Sequence, residues 1–217
     1  MTIRREKIRM KFLKNMLLAA AVLMVSMWAS TVCVYAAPDD EAEQTGYIYL
    51  GDSRFVGMNR YIHIDEMENT FVVAKVGKGL SWLENTAAGK IKEIMRSNAD
   101  IDNWVIITGL GINDYWNAAK YIDYYDTMDD VQLILVSVNP VEKDRCDTHG
   151  YDYGKLSEGI ASFNDKLMET DYQYIDVYTS MMEEGFATVD GVHYKKDTYQ
   201  FIYDTIKLYL DMQQTEN

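Results

Sequence analysis

The chain has 217 residues, 48% of them hydrophobic, and a formal net charge of −13. That is enough polypeptide for one domain with a packed core, and the apolar fraction excludes a wholly disordered protein. The charge is unevenly spread: residues 1–36 hold six Lys/Arg against the single Glu6, a net of +5, which leaves −18 for the rest. A surface that acidic excludes nucleic acid and anionic lipid head groups as partners and leaves neutral or cationic substrates open.

In chain order, the first feature is a basic region, Arg4, Arg5, Lys7, Arg9, Lys11 and Lys14, followed from Met16 by an apolar run ending near Ala37. This is the pattern of an export signal, with Val34 and Ala36 as the small residues of a cleavage site after Ala36. The alternative is an uncleaved anchor, because the run approaches the roughly 20 residues of a bilayer span. Sequencing the amino terminus of the secreted protein separates the two. Cys33 lies in this segment and Cys146 stands alone after it, so no intrachain disulfide is expected and the core must hold the fold. Pro38 to Thr45 is acidic, polar and aperiodic, a solvated linker over residues 37–45, and the folded domain is expected to begin near Gly46 and fill residues 46–217.

From Gly46 onward, short apolar runs alternate with longer stretches of helical period. The runs are Tyr47–Leu50, Thr70–Ala74, Trp104–Thr108, Val131–Val138 and Tyr174–Tyr178. Several are rich in Val and Ile without alternation, as expected of strands covered on both faces. Between them, Ala87–Met95 brings Ile91, Ile94 and Met95 to one side, and Lys155–Glu169 spaces Leu156, Ile160, Phe163 and Leu167 at helical intervals. The last helix is expected to begin near Asp197 and to carry Ile202, Ile206 and Leu210 along one stripe. Strands alternating with helices define an α/β protein built on a parallel sheet. Pro140 should end the fourth strand.

Four loops after these strands hold residues with chemistry. Gly51-Asp52-Ser53-Arg54 ends the first strand abruptly, which places Ser53 at the carboxyl edge of the sheet beside helix-start amides, as a candidate nucleophile or as part of a turn and N-cap. Val76-Gly77-Lys78-Gly79 lacks the spacing of a phosphate loop, and either Gly77 or Gly79 could bring a backbone amide to an oxyanion or simply make a turn before a helix containing Trp82. Gly109-Leu110-Gly111-Ile112-Asn113-Asp114 has Asp114 where a dinucleotide fingerprint needs glycine, so no dinucleotide is expected. Asn113 can donate its amide to an oxyanion or cap the helix that holds Tyr115 and Trp116. In Asp190-Gly191-Val192-His193 the carboxylate can fold back onto Nδ1 and leave Nε2 as a general base, unless the segment is only a surface loop.

Other residues invite weaker readings. Asp144, Asp147, His149 and Asp152 crowd one loop, but with so few nitrogen or sulfur donors they read as a solvated acidic loop, and no metal is expected. His63 is expected to be partly buried without a role. Tyr115, Trp116, Tyr121, Tyr124 and Tyr125 form an aromatic segment that fits a core, or in part a platform for a sugar ring.

Taken together, and in this order, the four loops resemble the four blocks of the SGNH, or GDSL-type, serine hydrolases. Gly51-Asp52-Ser53 matches the nucleophile block, Gly79 the glycine block, Gly111-Ile112-Asn113-Asp114 the G-x-N-D block, and Asp190-Gly191-Val192-His193 the D-x-x-H block. The resemblance spans the chain from Gly46 to the final helix. It implies a three-layer α/β/α, flavodoxin-like fold with a five-stranded parallel sheet in the order 2-1-3-4-5, its site at the carboxyl ends of the strands. It also implies a triad of Ser53, His193 and Asp190 and an oxyanion hole made by the amides of Ser53 and Gly79 and the side chain of Asn113. No cofactor is expected. Arg54 stands where the family usually has leucine, which argues against a lipase-like acyl pocket. The expected function is a secreted or cell-surface esterase removing acetyl or another short acyl group, on a carbohydrate or other small-molecule ester. The alternatives are an acylhydrolase of lipids or small esters, and a binding module on the same fold. Membrane contact is expected only through an uncleaved N-terminal segment.

Overall fold

The computed structural model describes residues 43–216, and the export segment and the linker as far as residue 42 lie outside the described residues. The five apolar runs become five strands: β1 Thr45–Gly51, β2 Thr70–Ala74, β3 Asn103–Thr108, β4 Gln132–Val136 and β5 Gln173–Ile175. They form one all-parallel sheet in the order β2-β1-β3-β4-β5. Thr45, counted with the linker in the sequence, is instead the first residue of β1, where it pairs with Asn103.

Among the described residues seven helices cover the sheet: α1 Ser53–Ile62; α2, which runs as Leu80–Trp82, widens into a π turn at Leu83–Ala87 and continues as Ala88–Ser97; α3 Ala118–Tyr125; α4 Lys143–His149; α5 Tyr153–Met168; α6 Val177–Glu184; and α7 Lys196–Glu216. Alternate residues of each strand point to opposite faces, and both faces are buried. Ile48, Leu50, Ile106, Leu133 and Leu135 meet α2, α3, α4 and α5 through Leu83, Tyr121, Cys146 and Phe163. Tyr49, Val105, Ile107, Ile134 and Val136 meet α1, α6 and α7 through Met58, Met181 and Ile202. Each such side chain contributes about 1.5–3 kcal/mol relative to exposure. The result is the expected three-layer arrangement with two cores.

Two strands end earlier than the sequence expectation. The fifth strand ends at Ile175, because the Asp176 carboxylate accepts the Thr179 amide at 2.9 Å and starts α6. The apolar Val177 and Tyr178 therefore belong to a helix, not to the strand. The fourth strand stops at Val136, and Val138 is held instead by Asn164 of α5, whose side chain accepts its amide at 2.7 Å and donates to its carbonyl at 2.9 Å. Asp197 lies in the first turn of α7, where its charge suits the helix dipole. Among the described residues no helix is long and apolar enough to cross a membrane.

Candidate active site

All four singled-out loops leave the carboxyl ends of strands or, for His193, the segment just before α7. Ser53 is the first residue of α1. Asp52 caps that helix, its Oδ1 accepting the Arg54 amide at 2.9 Å, so the serine is fixed at the positive end of the helix dipole. Its Oγ lies 2.8 Å from His193 Nε2, and His193 Nδ1 lies 2.7 Å from Asp190 Oδ2. A carboxylate can only accept, so Nδ1 carries the proton, Nε2 is the free acceptor, and the serine hydroxyl donates to it. The three side chains thus form one hydrogen-bonded line from hydroxyl to carboxylate.

Asp190 is held as tightly as it holds. Its Oδ1 accepts the amides of Val192 at 3.0 Å and His193 at 2.8 Å. Partial burial raises the pKa of this carboxyl, but the bonds from the His193 backbone and ring and from the Val192 backbone outweigh it and leave the group below its ordinary value. It is therefore a carboxylate throughout the neutral range.

The loop carrying these two residues is a tight turn pinned from outside. Thr188 bridges to Tyr194, and Val189 donates its amide to the His193 carbonyl at 2.7 Å. Glu142 Oε2 accepts the Thr188 amide at 2.9 Å and its hydroxyl at 2.5 Å, while the Thr188 hydroxyl accepts the Gly191 amide at 2.9 Å. Glu142 in turn donates its own amide to the Gly191 carbonyl at 2.9 Å. Gly191 has φ +100, and a Cβ there would lie 2.5 Å from the Cys146 amide nitrogen, so only glycine fits. The Thr188 hydroxyl bond, against partial burial, holds the Glu142 carboxyl below its ordinary value. The clasp is therefore fully present above the unfolded-state value and is lost as pH falls through the folded one. Glu142→Ala is expected to lower kcat about 10- to 100-fold with little change in KM, because the imidazole loses its fixed approach to Ser53. Glu142→Gln, which keeps an acceptor for Thr188, should retain most activity in the same steady-state assay.

The Gly79 and Asn113 loops meet each other. Asn113 Nδ2 donates to the Lys78 carbonyl at 2.9 Å, so the side chain ties two loops together and does not cap the following 3-10 turn at Tyr115–Asn117. The neighbouring Asp114 caps α2 from 34 residues away, its Oδ2 accepting the Leu80 amide at 2.9 Å, and its Oδ1 accepts the Tyr121 hydroxyl at 2.7 Å. Burial, with Tyr125 and Asp114 beside it, pushes the Tyr121 phenol far above its ordinary value, so it remains a donor. A Cβ on Gly79 would lie 2.4 Å from Asp114 Oδ1, whereas Gly77, at φ +66, meets nothing. Gly79 is thus required by the contact with Asp114 and Gly77 by the turn. Ser53, Asp190 and His193 line one cavity of about 370 Å³, and Gly79 and Asn113 line another of about 470 Å³.

Sequence reasoning missed three of the contacts that hold this site. Asp52 and Arg54, flanking the serine, are both buried and form a bidentate pair, 3.2 Å from Nε to Oδ1 and 3.0 Å from Nη2 to Oδ2. Arg54 therefore points into the core, where leucine would pack, and not into a substrate pocket. Asp114 and Glu142 were equally unforeseen in these roles. Their only signal was a short acidic residue next to a turn. The weaker readings resolve as well. His63 is exposed, not partly buried, and ends α1 in a left-handed conformation at φ 58. Asp147 pairs with Lys143, His149 Nδ1 lies 2.9 Å from the Arg145 carbonyl, and Asp152 caps α5. Tyr121 and Tyr125 are core, whereas Trp116 is 67% exposed.

The parallel sheet in the order β2-β1-β3-β4-β5 with helices on both faces is a fold similar to that of solved acylhydrolase and SGNH-hydrolase structures. Among solved structures, the chain is similar to the lipase/acylhydrolase from Enterococcus faecalis, at 14% identity and a TM-score of 0.53 over 78% of this chain and 96% of that one. It is also similar to the C-terminal catalytic domain of peptidoglycan O-acetyltransferase A from Streptococcus pneumoniae, at 20% identity and a TM-score of 0.55 over 80% and 96%. A third similar structure is a Slackia heliotrinireducens protein described as an SGNH hydrolase, at 15% identity and a TM-score of 0.55 over 76% and 97%. No family model matches the sequence, and no curated protein matches it.

Proposed function

We propose that the chain is an exported serine esterase that removes acetyl or another short acyl group from a carbohydrate or small-molecule ester. The observation that carries this is the unbroken line of hydrogen bonds from Ser53 Oγ through His193 to Asp190. Ser53 attacks the ester carbonyl as His193 Nε2 takes its proton, and the alcohol leaves with that proton. Water then attacks the acyl-serine by the same route. The developing oxyanion is met by the amides of Ser53 and Gly79 and by the second N–H of the Asn113 amide, the first being held by Lys78.

Residues 1–36 act as the export signal in this reading, the residues between 37 and β1 as the linker, and the chain from Thr45 onward as the catalytic domain. The carbohydrate is favoured by Trp116, an exposed ring three residues after Asn113 and suited to stacking on a sugar. One similar structure is, by name, a peptidoglycan O-acetyltransferase, which also fits an acetylated glycan. The decisive experiment is acetate release from a panel of acetylated glycans, with covalent labelling of Ser53 by a fluorophosphonate and Ser53→Ala as the unlabelled control. Absence of label on Ser53 would leave only a binding module on this fold. A series of 4-nitrophenyl esters separates short-acyl from lipid preference.

Asn113→Ala is expected to lower kcat about 10²- to 10³-fold with KM little changed, the usual effect of removing one oxyanion donor. A loss under threefold in steady-state kinetics would make Asn113 a loop tie only.

A further inference from the structure

The cavity beside Ser53 has a cation that forms no ion pair among the described residues. Ser53, Val56, Gly57 and Arg60 all line it, the i, i+3, i+4, i+7 spacing of one face of α1. Arg60 therefore stands two turns along from the nucleophile, roughly 10 Å at 1.5 Å per residue. It is exposed, and among the described residues it has no ion pair or hydrogen bond. The carboxylate on the same wall, Asp190, is already engaged at both oxygens. The neighbouring cavity repeats the pattern: its cation, Lys78, has no carboxylate partner, and its carboxylate, Asp114, is bonded to Leu80 and Tyr121. In a region carrying −18 overall, Arg60 and Lys78 are cations with no ion pair among the described residues, and Asp190 and Asp114, though still charged, spend their oxygens on other donors and pair with neither of them. Distant carboxylates do not cancel this, because at physiological salt their field decays over about 8 Å. Between Ser53 and Arg60 the wall is apolar or aromatic, with Val76, Val189 and the stacked rings of Tyr61 and Tyr199.

We propose that Arg60 is a specificity residue that binds a carboxylate carried by the ester substrate, with the short apolar wall spanning the gap to Ser53. Guanidinium takes a carboxylate bidentately, and at this solvent-open rim such a bond is worth about tenfold in selectivity. The proposal rests on the esterase reading, and its test is chosen to fail separately from it. The readout is the ratio of kcat/KM for the mono-4-nitrophenyl ester of glutarate to that for 4-nitrophenyl butyrate. A second pair, 4-nitrophenyl acetate with and without a ring carboxylate, places the anion on the alcohol side. Arg60→Gln should lower the ratio about tenfold in one of the two pairs, chiefly through KM, and Arg60→Lys should restore part of it. A ratio unchanged in both pairs overturns the proposal, while loss of all four activities in the wild type would instead sink the esterase reading. A binding measurement needs no turnover: by NMR titration the wild type should bind the monoamide of glutarate about tenfold more tightly than the neutral butyramide, and Arg60→Gln should abolish the difference. Equal affinities in the wild type overturn the proposal whatever the kinetics show.

Discussion

Asp190→Asn is expected to lower kcat about 10⁴-fold while the protein stays folded. The size of the effect follows from which oxygen does what. Asp190 Oδ1 accepts two backbone amides, those of Val192 and His193, and Oδ2 faces His193 Nδ1 at 2.7 Å. An asparagine at this position must keep its carbonyl oxygen toward the two amides, since turning its NH2 there would set donor against donor. The NH2 then faces Nδ1, which becomes the acceptor, and the ring proton moves to Nε2. A protonated Nε2 cannot take the hydroxyl proton of Ser53, 2.8 Å away, so the base is removed without disturbing the loop. Steady-state kinetics on 4-nitrophenyl acetate, with thermal melting as the control for folding, checks this. A loss below tenfold would mean that Asp190 only builds the turn and that His193 finds its tautomer without it.

How much of this was legible beforehand depends on how local each signal is. β2 has the expected bounds, Thr70–Ala74, because its apolar run Phe71–Ala74 is continuous and lies between the polar Asn69 and Lys75. The alternation of such runs with the helical stripes of α5 and α7 gives a parallel sheet with helices on both faces, whereas the order of the strands came only from the resemblance of the four loops to the SGNH family. The Asp190–His193 bond was legible because three residues separate its partners across a glycine. Helix α4 was not, since in Lys143–His149 only Cys146 is buried and no stripe exists to read. Tyr178 extended the fifth run past its true end because an apolar first turn of a helix is indistinguishable from a strand residue by periodicity alone. The cap that Asp114 places on α2 and the Glu142 clasp on Thr188 join residues 34 and 46 apart, and no local pattern encodes such pairs. Arginine beside Ser53 reads as surface by composition. Its inward course depends on Asp52 being buried with it.

That buried pair supports the second large effect. Arg54→Met is expected to destabilise the fold by about 3–5 kcal/mol, the cost of leaving one partner of a buried ion pair uncompensated. For a domain of this size that lowers the melting temperature by roughly 10 °C. Asp52 is 0% and Arg54 4% exposed, so water cannot replace the lost partner. Burial alone would lower the pKa of the guanidinium, but the adjacent Asp52 charge outweighs it and holds Arg54 above the ordinary arginine value. Arg54 is therefore fully charged. Arg54 also donates from Nη2 to the Gly109 carbonyl at 3.2 Å, and Gly109 donates its amide to the Leu50 carbonyl at 2.9 Å. The guanidinium thus ties the end of β1 to the end of β3, on either side of the loops that carry Ser53 and Asn113. Asp52→Asn added to Arg54→Met removes the stranded charge while keeping an oxygen to accept the amide at position 54. The double variant should therefore recover about half or more of the loss, and chemical denaturation of the three proteins measures it. A single variant within 1 kcal/mol of the wild type, or a double variant no better than the single, would show that the pair is not what holds the two strand ends together.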